Sequence, residues 1–283
     1  MTEKEHAPNE TASDASRTDE PAQVMPDVVP AGSPTAALDR TRYRRLHTIA
    51  GAVLLGTFLV GHLFTHASAL GGERSYDRVV GALARSPLGS VVEVVFVLIP
   101  FAFHVGYGIH LLARERAGDV GAQAFGSRRS WLLQRISAGV LLVFVLVHVW
   151  HLRLQRLFFG LSADALYTEL TARLSSTWAG IPWVALFYLL GVLAASAHAA
   201  NGLFAATGTW NVASSDRGRQ RMRLLTATLG LVLFLVGAAT VIGTATGTRL
   251  LPGADDDSAA PSAPCGSAVP APSPPFKLRT PSP

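Results

Sequence analysis

Of the chain's 283 residues, 49% are hydrophobic and only 15% are charged, and the mean hydropathy is +0.32. Soluble domains carry about 25% charged residues, so most of this chain is built for a solvent other than water. The formal charge of +5 comes mainly from arginines bunched between apolar runs, a pattern that reports orientation in a bilayer rather than a nucleic-acid partner.

Residues 1–40 are rich in Pro, Ala, Ser, Thr, Asp and Glu and contain no apolar stretch. They bury too little surface to offset their ordering entropy, so disorder is expected, and they lack the apolar core of a signal peptide. Residues 41–250 read as one integral membrane domain. Crossing a bilayer takes roughly 20 apolar residues as a helix, and five segments qualify: 46–69, 88–113, 131–152, 181–208 and 223–247. The acidic, proline-rich tail 251–283 is again expected to be disordered. Its Cys265 is the single cysteine, which excludes an intrachain disulfide, CxxC metal chemistry and CxxCH haem attachment.

Arginine placement sets the direction. Thirteen arginines stand before the first span, around the second-to-third connection and in the fourth-to-fifth connection, against seven on the opposite side. The positive-inside rule then puts the N-terminus in the cytoplasm and the C-terminus outside, in a bacterial-type cytoplasmic membrane.

Each of the first four spans carries a histidine deep in its sequence: His62, His104, His148 and His198. They fall 16, 16, 17 and 17 residues after the expected span starts. Successive spans run in opposite directions, so equal offsets create two layers, His62 with His148 towards the outside and His104 with His198 towards the cytoplasm. The fifth span has no histidine. Two neutral imidazoles at one depth on different helices suit a six-coordinate b-type haem, and small residues beside them (Gly61, Gly106, Gly108, Gly139, Ala195, Ala197, Ala199, Gly202) leave room for a flat ring. A histidine bonded to a neighbouring carbonyl is the plainer reading of any one of them. Four at paired depths point instead to two non-covalent haems. The expected fold class is an all-α membrane protein of five helices, four of which form a diheme bundle. Zinc or copper would want clustered His, Cys or carboxylate ligands.

The stretches RRLHTIAGAVLLGTFLVGH (44–62), VVEVVFVLIPFAFHVGYGI (91–109), LLQRISAGVLLVFVLVHVW (132–150) and ASAHAANGLF (195–204) resemble the cytochrome b membrane-anchor subunit of succinate dehydrogenase and fumarate reductase, in its five-helix, single-chain, diheme form. The resemblance covers residues 42–247. It implies His62 and His148 as axial ligands of the outer haem and His104 and His198 as those of the inner one. It also implies a flavoprotein and an iron–sulfur subunit docked on the cytoplasmic side, and a quinone, menaquinone or ubiquinone, bound near the outer haem. The dicarboxylate chemistry would lie on the flavoprotein, and this chain would be the quinone-reactive, electron-transfer part of the enzyme. Some fumarate-reducing members carry a glutamate two residues before the fourth ligand; this chain has Ser196 there, which favours succinate oxidation.

The remaining polar residues divide by side. Arg45, His47 and Arg135 stand at the inner mouth as candidates for haem propionates, or as groups snorkelling to lipid headgroups. Glu93 is the one acid inside an apolar run, a candidate for quinone-linked proton transfer or an interfacial group. His66, Asp77 and His151 belong to the outer layer as quinone candidates. Two other function classes fit the same histidines: a diheme cytochrome b of a nitrate reductase or hydrogenase, and a haem-free transporter with histidine proton relays.

Overall fold

A computed structural model describes residues 34–114 and 125–251. Residues 1–33, 115–124 and 252–283 lie outside the described residues, and with them most of both terminal segments expected to be disordered. The chain divides into a unit Met1–Arg42 and a unit Tyr43–Pro283. In the first, the described residues are helical from Pro34, inside the stretch 1–40. A proline in the first turn fits, since no intrahelical bond is lost there.

The protein is all-α, and no strand occurs among the described residues. Five helices are long and apolar enough to cross a membrane: α1 (Thr41–Gly71), α2 (Pro87–Arg114), α3 (Arg128–Phe159), α5 (Trp183–Thr209) and α6 (Asp216–Thr246). A short helix, α4 (Leu166–Ser175), joins α3 to α5. Serine caps start two of the spans: Ser127 Oγ accepts from the Ser130 N–H, and Ser215 Oγ accepts from the Gly218 N–H. Gly160 and Gly247 end α3 and α6 in the left-handed region, at φ of 72° and 70°, where a side chain would be strained.

Helices α2 and α3 run antiparallel, as the contacts at each end require, whereas α1 and α6 run parallel and finish together. Arg135 near the start of α3 donates to the Leu111 and Leu112 carbonyls at the end of α2. At the opposite end, Glu93 on α2 meets Arg153 on α3 at 2.8 Å, and the Leu250 and Leu251 N–H groups after α6 donate to the Leu70 carbonyl of α1. Helix α5 is the centre, packed against α3 on one side and α6 on the other, with α1 against α2, α5 and α6. The close α5–α6 approach depends on small residues: a Cβ at Gly230 would run into Ala200, and one at Gly237 into Val192. Helix α6 carries no histidine, yet with α5 it is far better covered than α1 to α3, whose apolar surfaces face outward as lipid-exposed helices do.

Helix α4 is amphipathic. Leu166, Leu170 and Leu174, one turn apart, are buried against Tyr76, Tyr188 and Val241. Its other face carries the Arg173–Glu169 pair at 2.5 Å. The helix thus covers the end of the bundle at which α1 and α3 finish.

Candidate functional site

Two groups of imidazoles occupy two levels of the bundle. At the level where α1 and α3 finish, His62 of α1 and His148 of α3 have ring centroids 5.7 Å apart and planes at 88°. At the level where they begin, His104 of α2 and His198 of α5 have centroids 6.2 Å apart, again at 88°. Both pairs join helices that do not pack closely backbone to backbone, α1 with α3 and α2 with α5. The His104 ring lies against Gly51, and the His198 ring against Ser137. Gly51 precedes His62, and Ser137 precedes His148, by eleven residues. At 1.5 Å per residue the two levels are therefore about 16 Å apart on either helix.

Each level contains a third imidazole, and geometry separates it from the pair. A nitrogen lone pair lies in the plane of its ring, and imidazoles on opposite faces of one metal, bonded at about 2 Å each, have centroids roughly 6 Å apart. The pairs at 5.7 and 6.2 Å meet that distance, and perpendicular planes are allowed because each ring turns freely about its bond to the metal. His47 stacks on His104 at 4.1 Å and 5°, so their lone pairs run parallel and cannot meet at one ion. His66 is 4.4 Å from His62, too near for opposite faces. The His148 Nδ1 is buried without a hydrogen-bond partner among the described residues. Among those residues no group of three or more His, Cys, Asp or Glu is arranged to hold a bare metal ion.

The His104–His198 level is built by one face of α1. His47 and Gly51, a turn apart, present a ring and a bare backbone to His104. A Cβ at Gly51 would overlap the His104 ring. The His104 Nδ1 faces the His47 carbonyl at 3.2 Å; a carbonyl only accepts, so Nδ1–H donates and Nε2 keeps its lone pair free. Beyond His47 the aromatic contacts continue to Tyr107, Tyr43 and His110. Arg45 lies over the Trp210 ring at 5.8 Å, and Arg135 over Trp131 at 4.2 Å while donating to the end of α2. These guanidinium groups therefore sit at the mouth of the level with contacts of their own.

The His62–His148 level is lined with aromatics. Phe144, one turn before His148, stacks beside it at 5.5 Å, and Tyr188 meets it edge-on at 5.8 Å. Phe144 needs Gly191 opposite, because a Cβ there would overlap its ring. Gly191→Ala is expected to cost about 1–3 kcal/mol through overpacking and to turn Phe144 away from His148. A melt of the purified protein in detergent checks this, and an unchanged midpoint would show that the ring has room to shift.

The Tyr76 hydroxyl and the His66 Nδ1 share a hydrogen bond at 3.3 Å. Burial raises the Tyr76 pKa well above its usual value, with nearby Tyr188 adding to the shift, so the hydroxyl keeps its proton. His151 has a buried Nδ1 without a partner among the described residues. Asp77 is held in an exposed ion-pair chain, 3.0 Å from Arg85, which also meets Asp164 at 2.7 Å. Glu93 is engaged by Arg153. Ser196 is buried, and its Oγ lacks a partner among the described residues.

Several of these residues escape a reading of the sequence. Gly51 carries a signal, its place one turn after His47, whereas Gly61, Gly106 and Gly139 beside the histidines look onto open space. Gln134 and Ser137, a turn apart on α3, reach His198 and Asn201 of α5 only once the two helices pack.

Comparison with known proteins gives one relative of clear similarity, the succinate dehydrogenase cytochrome b558 subunit of Bacillus subtilis (strain 168). It is 27% identical over 203 residues, which cover 70% of this chain and 94% of that protein. No family model matches, and no solved structure matches. The likeness to a cytochrome b anchor of succinate dehydrogenase, drawn from the four sequence stretches, is borne out by this relative.

Proposed function

We propose that this chain, as a relative of a succinate dehydrogenase cytochrome b subunit, is the diheme membrane anchor of a succinate:quinone oxidoreductase. It takes electrons from an iron–sulfur partner, which a flavoprotein reduces with succinate, and delivers them to a quinone, menaquinone in the first instance. The observation that carries the reading is the pair of imidazole pairs: two on separate helices, each at the spacing of opposite faces of one metal, at two levels about 16 Å apart.

In this reading His104 and His198 ligate the inner haem and His62 and His148 the outer one. Bound haem b would supply one-electron carriers whose potentials respond to ligation and burial. The protein's own work is to orient imidazoles, exclude water and hold protons. The His47 carbonyl fixes the His104 ring by accepting from Nδ1. Phe144 and Tyr188 wall the His148 ring. Arg45, His47 and Arg135 lie at the inner mouth, where anionic propionates would find cations. At the outer level the Tyr76–His66 hydrogen bond and the unpartnered His151 Nδ1 offer polar groups to a quinone carbonyl. Glu93 and Asp77 would serve protons there only after leaving Arg153 and Arg85, so His66 and His151 are the stronger quinone candidates. Ser196, which cannot hold a proton as a carboxyl can, favours succinate oxidation over quinol-driven fumarate reduction. With the arginine-rich end in the cytoplasm, the N-terminus is inside and both partner subunits dock there.

A redox titration of membranes containing the complex, with succinate as reductant, tests the donor. Succinate-reducible b haem is expected. Haem reduced only through a molybdenum or nickel partner would transfer the reading to a nitrate reductase or hydrogenase cytochrome.

A further inference from the structure

The hydrogen bonds around His198 can be given directions from groups that only accept. Asn201 Nδ2 lies 2.8 Å from the Ser130 carbonyl, so that atom is the amide nitrogen. Its second proton points to Gln134 at 2.9 Å, which makes the receiving atom Oε1 and leaves Gln134 Nε2 facing His198 Nε2 at 3.3 Å. An amide N–H donates, so His198 Nε2 carries a lone pair. Independently, the Ser137 hydroxyl lies 3.2 Å from the Gln134 carbonyl and spends its proton there. The oxygen is then left to accept from His198 Nδ1, 3.4 Å away. Both routes give the same tautomer, and Ser137 is only 4% exposed, so water does not compete for the bond.

We infer that Ser137 is a positioning residue for the inner haem: it holds the Nδ1–H of His198 and so fixes Nε2 as the nitrogen with the lone pair, which iron would take in place of the Gln134 amide proton. The inference rests on the reading of His198 as an axial ligand. His104 receives the equivalent support from a backbone carbonyl, which no side-chain substitution removes. His198 depends on a hydroxyl, so the inner haem has one side chain through which its ligand is tuned. A bond from the distal ring nitrogen raises the basicity of the ligating one, and losing such a partner costs 10–100-fold in affinity.

The test uses the full chain as wild type and as Ser137→Ala, Ser137→Thr and His198→Ala, with two readouts: haem transfer to apomyoglobin and the potential of each haem. His198→Ala identifies the inner haem. Ser137→Ala is expected to weaken inner-haem retention about 10–100-fold. It should also raise that haem's potential, because a less basic imidazole stabilises ferric iron less, while the outer haem is unmoved. Threonine, which keeps the hydroxyl, should restore both values. Where alanine at this buried site blocks assembly, Ser137→Cys, a weak acceptor of similar size, gives the same shifts. An unchanged inner potential and retention in Ser137→Ala would overturn the proposal, as would threonine behaving like alanine. If His198→Ala keeps both haems, the ligand assignment itself fails.

Discussion

His198→Ala is expected to take the protein from two haem redox steps to one and to leave the second step at its wild-type potential. The inner level offers no substitute ligand. His47 is the nearest other imidazole, but it is stacked on His104 at 4.1 Å and 5°, with lone pairs that run parallel to those of its neighbour. The outer pair lies about 16 Å away on other segments of α1 and α3 and shares no ring contact with His198. Potentiometric titration reads both steps at once. Equal loss of both haems in a protein whose helical circular dichroism is intact would contradict the pairing.

Gly51→Val is expected to have nearly the same effect with every histidine still present. The His104 ring occupies the place into which a Cβ would project, and two further methyl groups enlarge the collision. Either the ring turns away from His198, or α1 moves away from α2. Overpacking of this kind costs about 1–3 kcal/mol, and here it falls on a proposed ligand, so haem content is expected to drop towards one per chain. Gly56→Val is the control, because a Cβ at Gly56 meets only the Gly51 carbonyl oxygen at 3.5 Å. Two haems retained in Gly51→Val would show that His104 reaches its partner from another side.

These two substitutions also mark what the sequence makes legible. Hydropathy locates the second and fourth spans to within a residue or two: 88–113 against Pro87–Arg114, and 181–208 against Trp183–Thr209. It does less well where charge enters a helix. The fifth span is expected at 223–247 but starts at Asp216, because Ser215 caps it and Arg217, Arg219, Arg221 and Arg223 are part of the helix. Long arginine side chains can reach the headgroups from such a turn, and an apolar average cannot see that. The third span runs past residue 152 to Phe159 for a related reason, since Arg153 and Arg156 find partners in Glu93 and the Ala84 carbonyl.

Helix α4 is too short to register as a span, although its leucines at 166, 170 and 174 mark a helical face. Within the site, the depth of each histidine is a one-dimensional quantity and can be counted along the chain. Gly51, Ser137 and Gly191 act across helix interfaces, and their roles depend on how α1 meets α2 and how α3 meets α5. The same holds for His66 and Asp77, two outer-level quinone candidates by sequence. Packing gives His66 the Tyr76 hydroxyl and ties Asp77 to Arg85.

In the proposed function this single chain binds two b haems between paired histidines. Pyridine haemochrome quantitation of the purified chain, against protein determined by amino-acid analysis, counts them. Two haem b per chain are expected. One haem would leave one pair of imidazoles without its metal, and a preparation with no Soret band would exclude haem binding by this chain altogether.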